Sequence, residues 1–132
     1  MTTTTNDAPT TTSRPLLTGL KVTAVLAVLT LLWQFITAGQ LFGQGARPET
    51  AHAAGAIVLH VMSGLAAIAA VLLWRSGAVP LWLAGLAVVV FGFGFLQAAM
   101  GGYQTLYVHV PGAMILTAGA VWLTVAVLRQ RA

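Results

Sequence analysis

Two histidines stand in matching sequence contexts, and imidazole is a side chain suited to metal binding and proton transfer. His52 opens the stretch HAAGAIVL (52–59) and His109 opens HVPGAMIL (109–116), so that Gly-Ala follows each at the third and fourth positions. A neutral imidazole presents a nitrogen lone pair, which is a common ligand of metal ions and of haem iron. The repeated context predicts that the two histidines occupy equivalent positions in the fold.

The residues that precede the two histidines also match. The pattern Q-x-x-x-[A/G]-G occurs before each histidine, once from Gln34 to Gly39 and once from Gln97 to Gly102. Agreement in residue type, order and predicted membrane depth favours a tandem repeat of two helix pairs, related by an axis along the membrane normal.

Composition places these residues in a membrane. The chain has 132 residues, of which 58% are hydrophobic and 6% charged, whereas a soluble domain has about 25% charged residues. There is no cysteine, which excludes disulfides, thiolate metal sites and cysteine nucleophiles. The net charge of +4 is spread around the apolar runs and forms no patch, so nucleic acid is not an expected partner.

Four apolar runs, two of which contain the paired histidines, are each long enough to cross a bilayer. Each reaches the roughly 20 residues that a helix needs to cross the hydrocarbon layer, and main-chain groups in lipid must pair within their own helix. We therefore predict an all-α, up-down four-helix membrane bundle over residues 16–132, after a disordered Thr-rich cytoplasmic tail at 1–15. The predicted helices cover about 22–42, 51–74, 79–100 and 106–128.

Basic residues predict the orientation of the bundle. With four spans, five of the six Lys and Arg residues fall on one side and Arg47 falls on the other. The positive-inside rule then puts both termini in the cytoplasm, with the protein in the plasma (inner) membrane. A weaker alternative is a signal peptide cleaved near Ala38-Gly39. The five residues on the cytoplasmic side are Arg14, Lys21, Arg75, Arg129 and Arg131.

The predicted topology brings the histidines to one depth. Pro48 suits the first position of helix 2 and Glu49 its first turn, so His52 lies near the start of that helix. His109 lies near the start of helix 4, which runs in the same direction. In an up-down bundle helices 2 and 4 are diagonal neighbours, so the two imidazoles can face each other near the outer side. Ionisable groups in a membrane usually have a function, and this pair predicts axial ligation of a b-type haem.

Other residues near the outer side fit the surroundings of a haem. Glycines let the main chain approach a porphyrin where a Cβ would clash, and hydroxyl and amide groups can hydrogen-bond propionates. Tyrosines at this depth are also ordinary interface anchors without any ligand. The candidate glycines are Gly101, Gly102 and Gly112, and the candidate propionate partners are Tyr103, Tyr107, Gln40, Gln44 and Gln104.

The order of these motifs resembles one four-helix half of the haem A synthases and, more loosely, small membrane cytochromes with paired histidine ligands. The matching stretches are Gln34 to Gly39, Glu49 to His52, Gln97 to Gly102, and His109. The resemblance implies that His52 and His109 are axial ligands of one haem, with Gln34 and Gln97 beside it and Glu49 as a candidate catalytic carboxylate. The chain departs from that family in having no second half, no loop cysteine pair, and Ala53 where the family has Arg.

His60 has no histidine counterpart in helix 4, where Thr117 holds the equivalent position. It lies eight residues after His52, which places it about 12 Å deeper along the helix. It can hydrogen-bond a main-chain carbonyl, Ser63 or Thr117, with no further role. It can also be the true partner of His109, or a contact for a proton or a quinone.

Three functions remain open from the sequence. The first is a b-type cytochrome that moves electrons between a quinol pool and an outer redox partner protein. The second is a membrane scaffold or accessory subunit with packed histidines, in a homo- or hetero-oligomer. The third is an enzyme, either one that modifies a haem or a lipid with Glu49 as acid or base, or a haem-linked oxidoreductase. The methionines are more typical of helix packing than of a copper site.

Overall fold

The structure, a computed structural model, describes residues 13–41 and 48–131 and is an all-α bundle of four helices. A single 3-10 turn, Tyr103–Thr105, precedes the last helix. The predicted four-helix fold is therefore confirmed. The helices are α1 Ser13–Gln40, α2 Pro48–Arg75, α3 Leu81–Ala99 and α4 Leu106–Leu128.

The start of α1 corrects the predicted boundary between tail and bundle. The helix begins at Ser13 and not near residue 22, so residues 13–15 are helical and the rest of the predicted tail, 1–12, lies outside the described residues. The added turns bury Leu17 and Leu20 against the other helices, and this packing extends the helix beyond the most apolar run. The other ends differ from the prediction by up to three residues, and Pro48 does open α2.

Neighbouring helices pack in chain order and the bundle closes between α1 and α4. Among the described residues, α2 packs against α1 and α3 but not against α4, so α2 and α4 are diagonal as predicted. We call the end where α1 starts and α4 finishes the proximal end, and the opposite end, where α2 and α4 start, the distal end.

The proximal half and the middle of the bundle contain the apolar core. Leu20, Leu73, Leu83 and Val127 are fully buried at the proximal end, and a second cluster around Leu31 fills the middle. Between that second cluster and the distal end, no residue with an apolar side chain is buried in the described part of the chain. The buried residues there are Thr37, Gly55, Gly94, Gln97 and Gly112.

The outer faces of the helices are apolar. Large side chains such as Ile57, Val89 and Ile115 are each about two-thirds exposed, at 67%, 65% and 66%. All four helices are long and apolar enough to cross a membrane. Such faces would be costly in water over this area, and they are compatible with a multi-pass membrane protein in contact with lipid.

The α2–α3 connection is a tight turn that needs glycine. Gly77 has φ of +77°, in the left-handed region that residues with a Cβ rarely adopt. Its N–H donates to the carbonyl of Trp74 at 2.9 Å, and the N–H of Ala78 donates to that of Leu73 at 2.8 Å. Pro80 then stands directly before α3, which keeps α2 and α3 antiparallel.

Candidate functional site

His109 is held from the preceding helix by a main-chain carbonyl. Its Nδ1 lies 2.9 Å from the carbonyl oxygen of Gln97, near the end of α3. A carbonyl only accepts hydrogen bonds, so Nδ1 carries the hydrogen and the neutral ring keeps its lone pair on Nε2. A ring whose Nδ1–H is bound in this way is oriented to bind a metal through Nε2.

His52 is held from its own preceding helix in a similar way. Its Nδ1 lies 3.0 Å from the hydroxyl of Thr37, and that hydroxyl donates its one hydrogen to the carbonyls of Trp33 at 3.0 Å and Gln34 at 3.1 Å. In the tautomer that carries the hydrogen on Nδ1, the hydroxyl accepts from His52 and the lone pair of the neutral ring lies on Nε2. The His52 ring also hydrogen-bonds the main chain of Gln34.

The two glutamines of the repeat occupy equivalent places. The main chain of Gln34 contacts His52, and the main chain of Gln97 contacts His109. Each glutamine side chain also lies against the glycine three residues after its histidine, Gln34 against Gly55 and Gln97 against Gly112. The repeat read from the sequence thus corresponds to repeated contacts between the helices of each pair.

Both glycines permit close packing within their helix pair. A Cβ added to Gly55 would lie 2.8 Å from Cδ1 of Trp33 and 3.1 Å from Oε1 of Gln34. A Cβ added to Gly112 would lie 2.9 Å from Cδ of Gln97. Gly112 was expected to give a porphyrin room, but in the structure the glutamine side chain fills that space.

His52 and His109 are close enough to interact electrostatically, although they lie on diagonal helices. Both rings are partly buried at the distal end. The two imidazoles therefore lie at the same end of the bundle on diagonal helices, and Nδ1 of each contacts a group on the preceding helix.

His60 points into the α2–α3 interface. Its Nδ1 lies 2.7 Å from the carbonyl of Ala56 on the same helix, one of the alternatives expected from the sequence. Its ring lies 4.4 Å from that of Phe95, and its Nε2 would lie 3.5 Å from a Cβ at Gly94. Nε2 is buried and has no hydrogen-bond partner among the residues that the structure describes.

The remaining candidates lie at the distal surface. A Cβ at Gly101 would lie 3.8 Å from Cε1 of His109, whereas Gly39 has open space around it. Glu49 is exposed in the first turn of α2. Gln44 lies outside the described residues. The other exposed candidates are Gly102, Gln40, Gln104, Tyr103 and Tyr107.

A cavity lies beside this histidine pair and not between the rings. It measures about 370 Å³ and lies between the distal parts of α3 and α4. None of the three histidines is in its lining. The lining residues are Phe93, Leu96, Gln97, Met100, Tyr107, Val108, Pro111, Gly112 and Ile115.

Thr37 is the site residue that the sequence did not reveal. It is fully buried, and its hydroxyl lies 3.0 Å from a ring nitrogen of His52. Threonines in membrane helices commonly bond to their own main chain, as Thr30 and Thr117 do here. Only its position one turn after Gln34 and opposite His52 distinguishes Thr37.

Haem iron commonly takes two imidazoles as axial ligands, and here two imidazoles lie at the same end of the bundle on diagonal helices. Within the described ranges no group of three or more His, Cys, Asp or Glu residues is gathered to hold a metal ion by protein ligands alone. No protein-family model, no curated protein and no solved structure matches the chain.

Proposed function

We propose that the distal end of the bundle binds a b-type haem through His52 and His109, and that the protein transfers electrons in the membrane. The observation that carries the proposal is the pair of partly buried imidazoles on diagonal helices, whose Nδ1 atoms contact the hydroxyl of Thr37 and the carbonyl of Gln97. Resemblance to one half of the haem A synthases supports the same two ligands.

The chain's own residues would orient the ligands and limit water. The hydroxyl of Thr37 and the carbonyl of Gln97 fix the ring orientation of His52 and His109, and such partners strengthen a ligating imidazole. Gln34 and Gln97 lie next to the two rings, and the second apolar cluster closes the interior below them. The haem, when bound, supplies a one-electron redox centre. Gly101, adjacent to His109, leaves room at the distal surface.

The orientation and location proposed here follow from charge. Arg14, Arg75 and Arg129 lie at the proximal end and are exposed, so the proximal end faces the cytoplasm if the protein obeys the positive-inside rule. The haem would then lie near the outer face of the plasma (inner) membrane, within reach of an outer redox partner.

The test is the visible spectrum of the full chain purified in detergent from haem-replete cells. We expect a Soret band that disappears in His52→Ala and in His109→Ala and remains in the matched variant His60→Ala, whose Nε2 faces Gly94. No Soret band in the wild-type protein, or a band that survives loss of both distal histidines, would exclude this function.

A second function, a scaffold or accessory subunit, is favoured by one observation. The cavity between α3 and α4 does not include the histidines, and the space at Gly112 is filled by Gln97, so the rings can be held without a ligand. A protein that purifies colourless and with a fixed stoichiometric partner would support this alternative.

A further inference from the structure

The groove between the distal parts of α3 and α4 has the size and position of a ligand site. Its volume of about 370 Å³ falls within the range of small-molecule pockets, roughly 300–1,000 Å³. Two of its lining residues, Leu96 and Ile115, are 48% and 66% exposed on the apolar outer surface. A ligand with an apolar part could therefore enter from the lipid-facing side.

A buried hydrogen-bond acceptor belongs to the same groove. Gln97 is one of its lining residues and is only 6% exposed. Its Oε1 is buried and finds no hydrogen-bond donor in the described part of the chain. An acceptor left unpaired in an apolar setting costs free energy, so a ligand that donates a hydrogen bond there would be favoured.

Pro111 gives the groove a second candidate acceptor, the main-chain carbonyl of Tyr107. Proline has no N–H, so Pro111 cannot give the carbonyl of Tyr107, four residues earlier in α4, its helical hydrogen bond. Both residues line the groove. The groove therefore pairs apolar and aromatic walls, including Phe93, with the unpaired Oε1 of Gln97 and with a carbonyl, that of Tyr107, whose usual helical donor is missing.

We propose that this groove binds a quinol, a neutral aromatic ring with hydroxyl donors and an apolar tail that extends into the lipid. A hydroxyl of the quinol donates to Oε1 of Gln97, and the ring lies against Phe93 and Met100. No charged residue lines the groove, which favours a neutral ligand over a phospholipid headgroup.

The choice of a quinol over other hydroxylated lipids rests on the proposed redox function. Gln97 contacts the groove through its side chain and His109 through its main-chain carbonyl. A molecule bound to the carboxamide of Gln97 would thus be separated from His109, the proposed haem ligand, by Gln97 alone. An electron donor to the haem is expected at such a position.

The experiment compares two ligands on two proteins. Binding of decyl-benzohydroquinone and of decylbenzene, which has the same ring and tail without oxygens, is measured on the full chain in phosphatidylcholine nanodiscs. We expect the wild type to prefer the hydroquinone by about tenfold, the effect of pairing one buried acceptor. The preference should vanish in Gln97→Leu and persist in Gln130→Leu, a matched change beyond the proximal end of α4.

The outcomes separate this proposal from the haem assignment. Gln97→Leu keeps the main-chain carbonyl that holds His109, and its readout for this proposal is the ligand preference and not the Soret band. A colourless wild type that still shows the hydroquinone preference would leave the groove assignment standing and exclude the haem. Equal binding of the two ligands, a preference retained in Gln97→Leu, or equally tight binding of 1-decanol would overturn the quinol site. If Gln97→Leu fails to fold, Ile115→Trp, which obstructs the exposed mouth, should weaken binding of both ligands.

Discussion

Gln97 contacts α4 twice, since its carbonyl oxygen accepts a hydrogen bond from Nδ1 of His109 at 2.9 Å while its side chain lies over Gly112. The second contact requires a glycine and the first requires only a main-chain atom. Orientation of the histidine is therefore separable from packing of the glutamine. In the first helix pair the side chain of Gln34 likewise lies over Gly55, but Nδ1 of His52 contacts a side chain, the hydroxyl of Thr37.

Thr37→Val should weaken haem binding. The change keeps the volume but removes the oxygen that accepts from Nδ1 of His52, so the ring loses its fixed orientation. Loss of such a partner typically reduces metal affinity about 10- to 100-fold. Haem titration of the apoprotein measures this, with Thr37→Ser expected to restore most of the affinity.

The matched control for that change is Thr30→Val. Thr30 bonds only to the carbonyl of Leu26 on its own helix, at 2.7 Å. Its haem affinity should equal that of the wild type. Equal affinities for Thr37→Val and Thr30→Val would show that Thr37 does not position the ligand.

Gly112→Ala should destabilise the second helix pair. The new methyl group would overlap the Gln97 side chain, and overpacking of this kind costs about 1–3 kcal/mol. Thermal unfolding in detergent, followed by helical circular dichroism, measures the loss. Gly92→Ala is the control, because a Cβ there meets nothing within 4 Å. It should be neutral or slightly stabilising, and an equal loss in both variants would contradict the packing account.

His60→Leu should leave stability unchanged or raise it by about 1 kcal/mol, because it removes a buried nitrogen that has no partner. The new side chain is apolar and would face Phe95 and Gly94, as the ring does now. Urea or thermal unfolding midpoints measure the effect. A large drop in the midpoint, or loss of the Soret band, would instead reveal a binding role for Nε2 of His60.

Single cysteines should report the orientation of the bundle, because the natural chain has none. Ser76 and Gln104 are exposed at opposite ends. In intact cells or spheroplasts, a membrane-impermeant maleimide should label Gln104→Cys and should label Ser76→Cys only after lysis. The reverse pattern would place both termini outside and the histidine pair near the cytoplasm.

Several features of this protein followed from local sequence alone. Runs of about 20 apolar residues can satisfy their main chain in lipid only as helices, so the number of helices and the antiparallel order followed. Pro48 and the apolar limits of α4 marked helix ends well, because these signals depend on neighbouring residues. The matched contexts of His52 and His109 correctly indicated equivalent contacts within the two helix pairs.

Tertiary structure decided what those residues touch. The start of α1 at Ser13 depends on burial of Leu17 and Leu20 against other helices, which no local pattern expresses. Thr37 resembles every other threonine in these helices until α2 is packed beside it. The sequence indicates only that Gly112 has no side chain, and the structure shows that the side chain of Gln97 lies over it. Hydrophobicity and helix length depend on residues that are neighbours in the chain, so the sequence shows them directly. Hydrogen bonds between helices depend on how each helix is rotated and how deep each residue lies, and only packing fixes these.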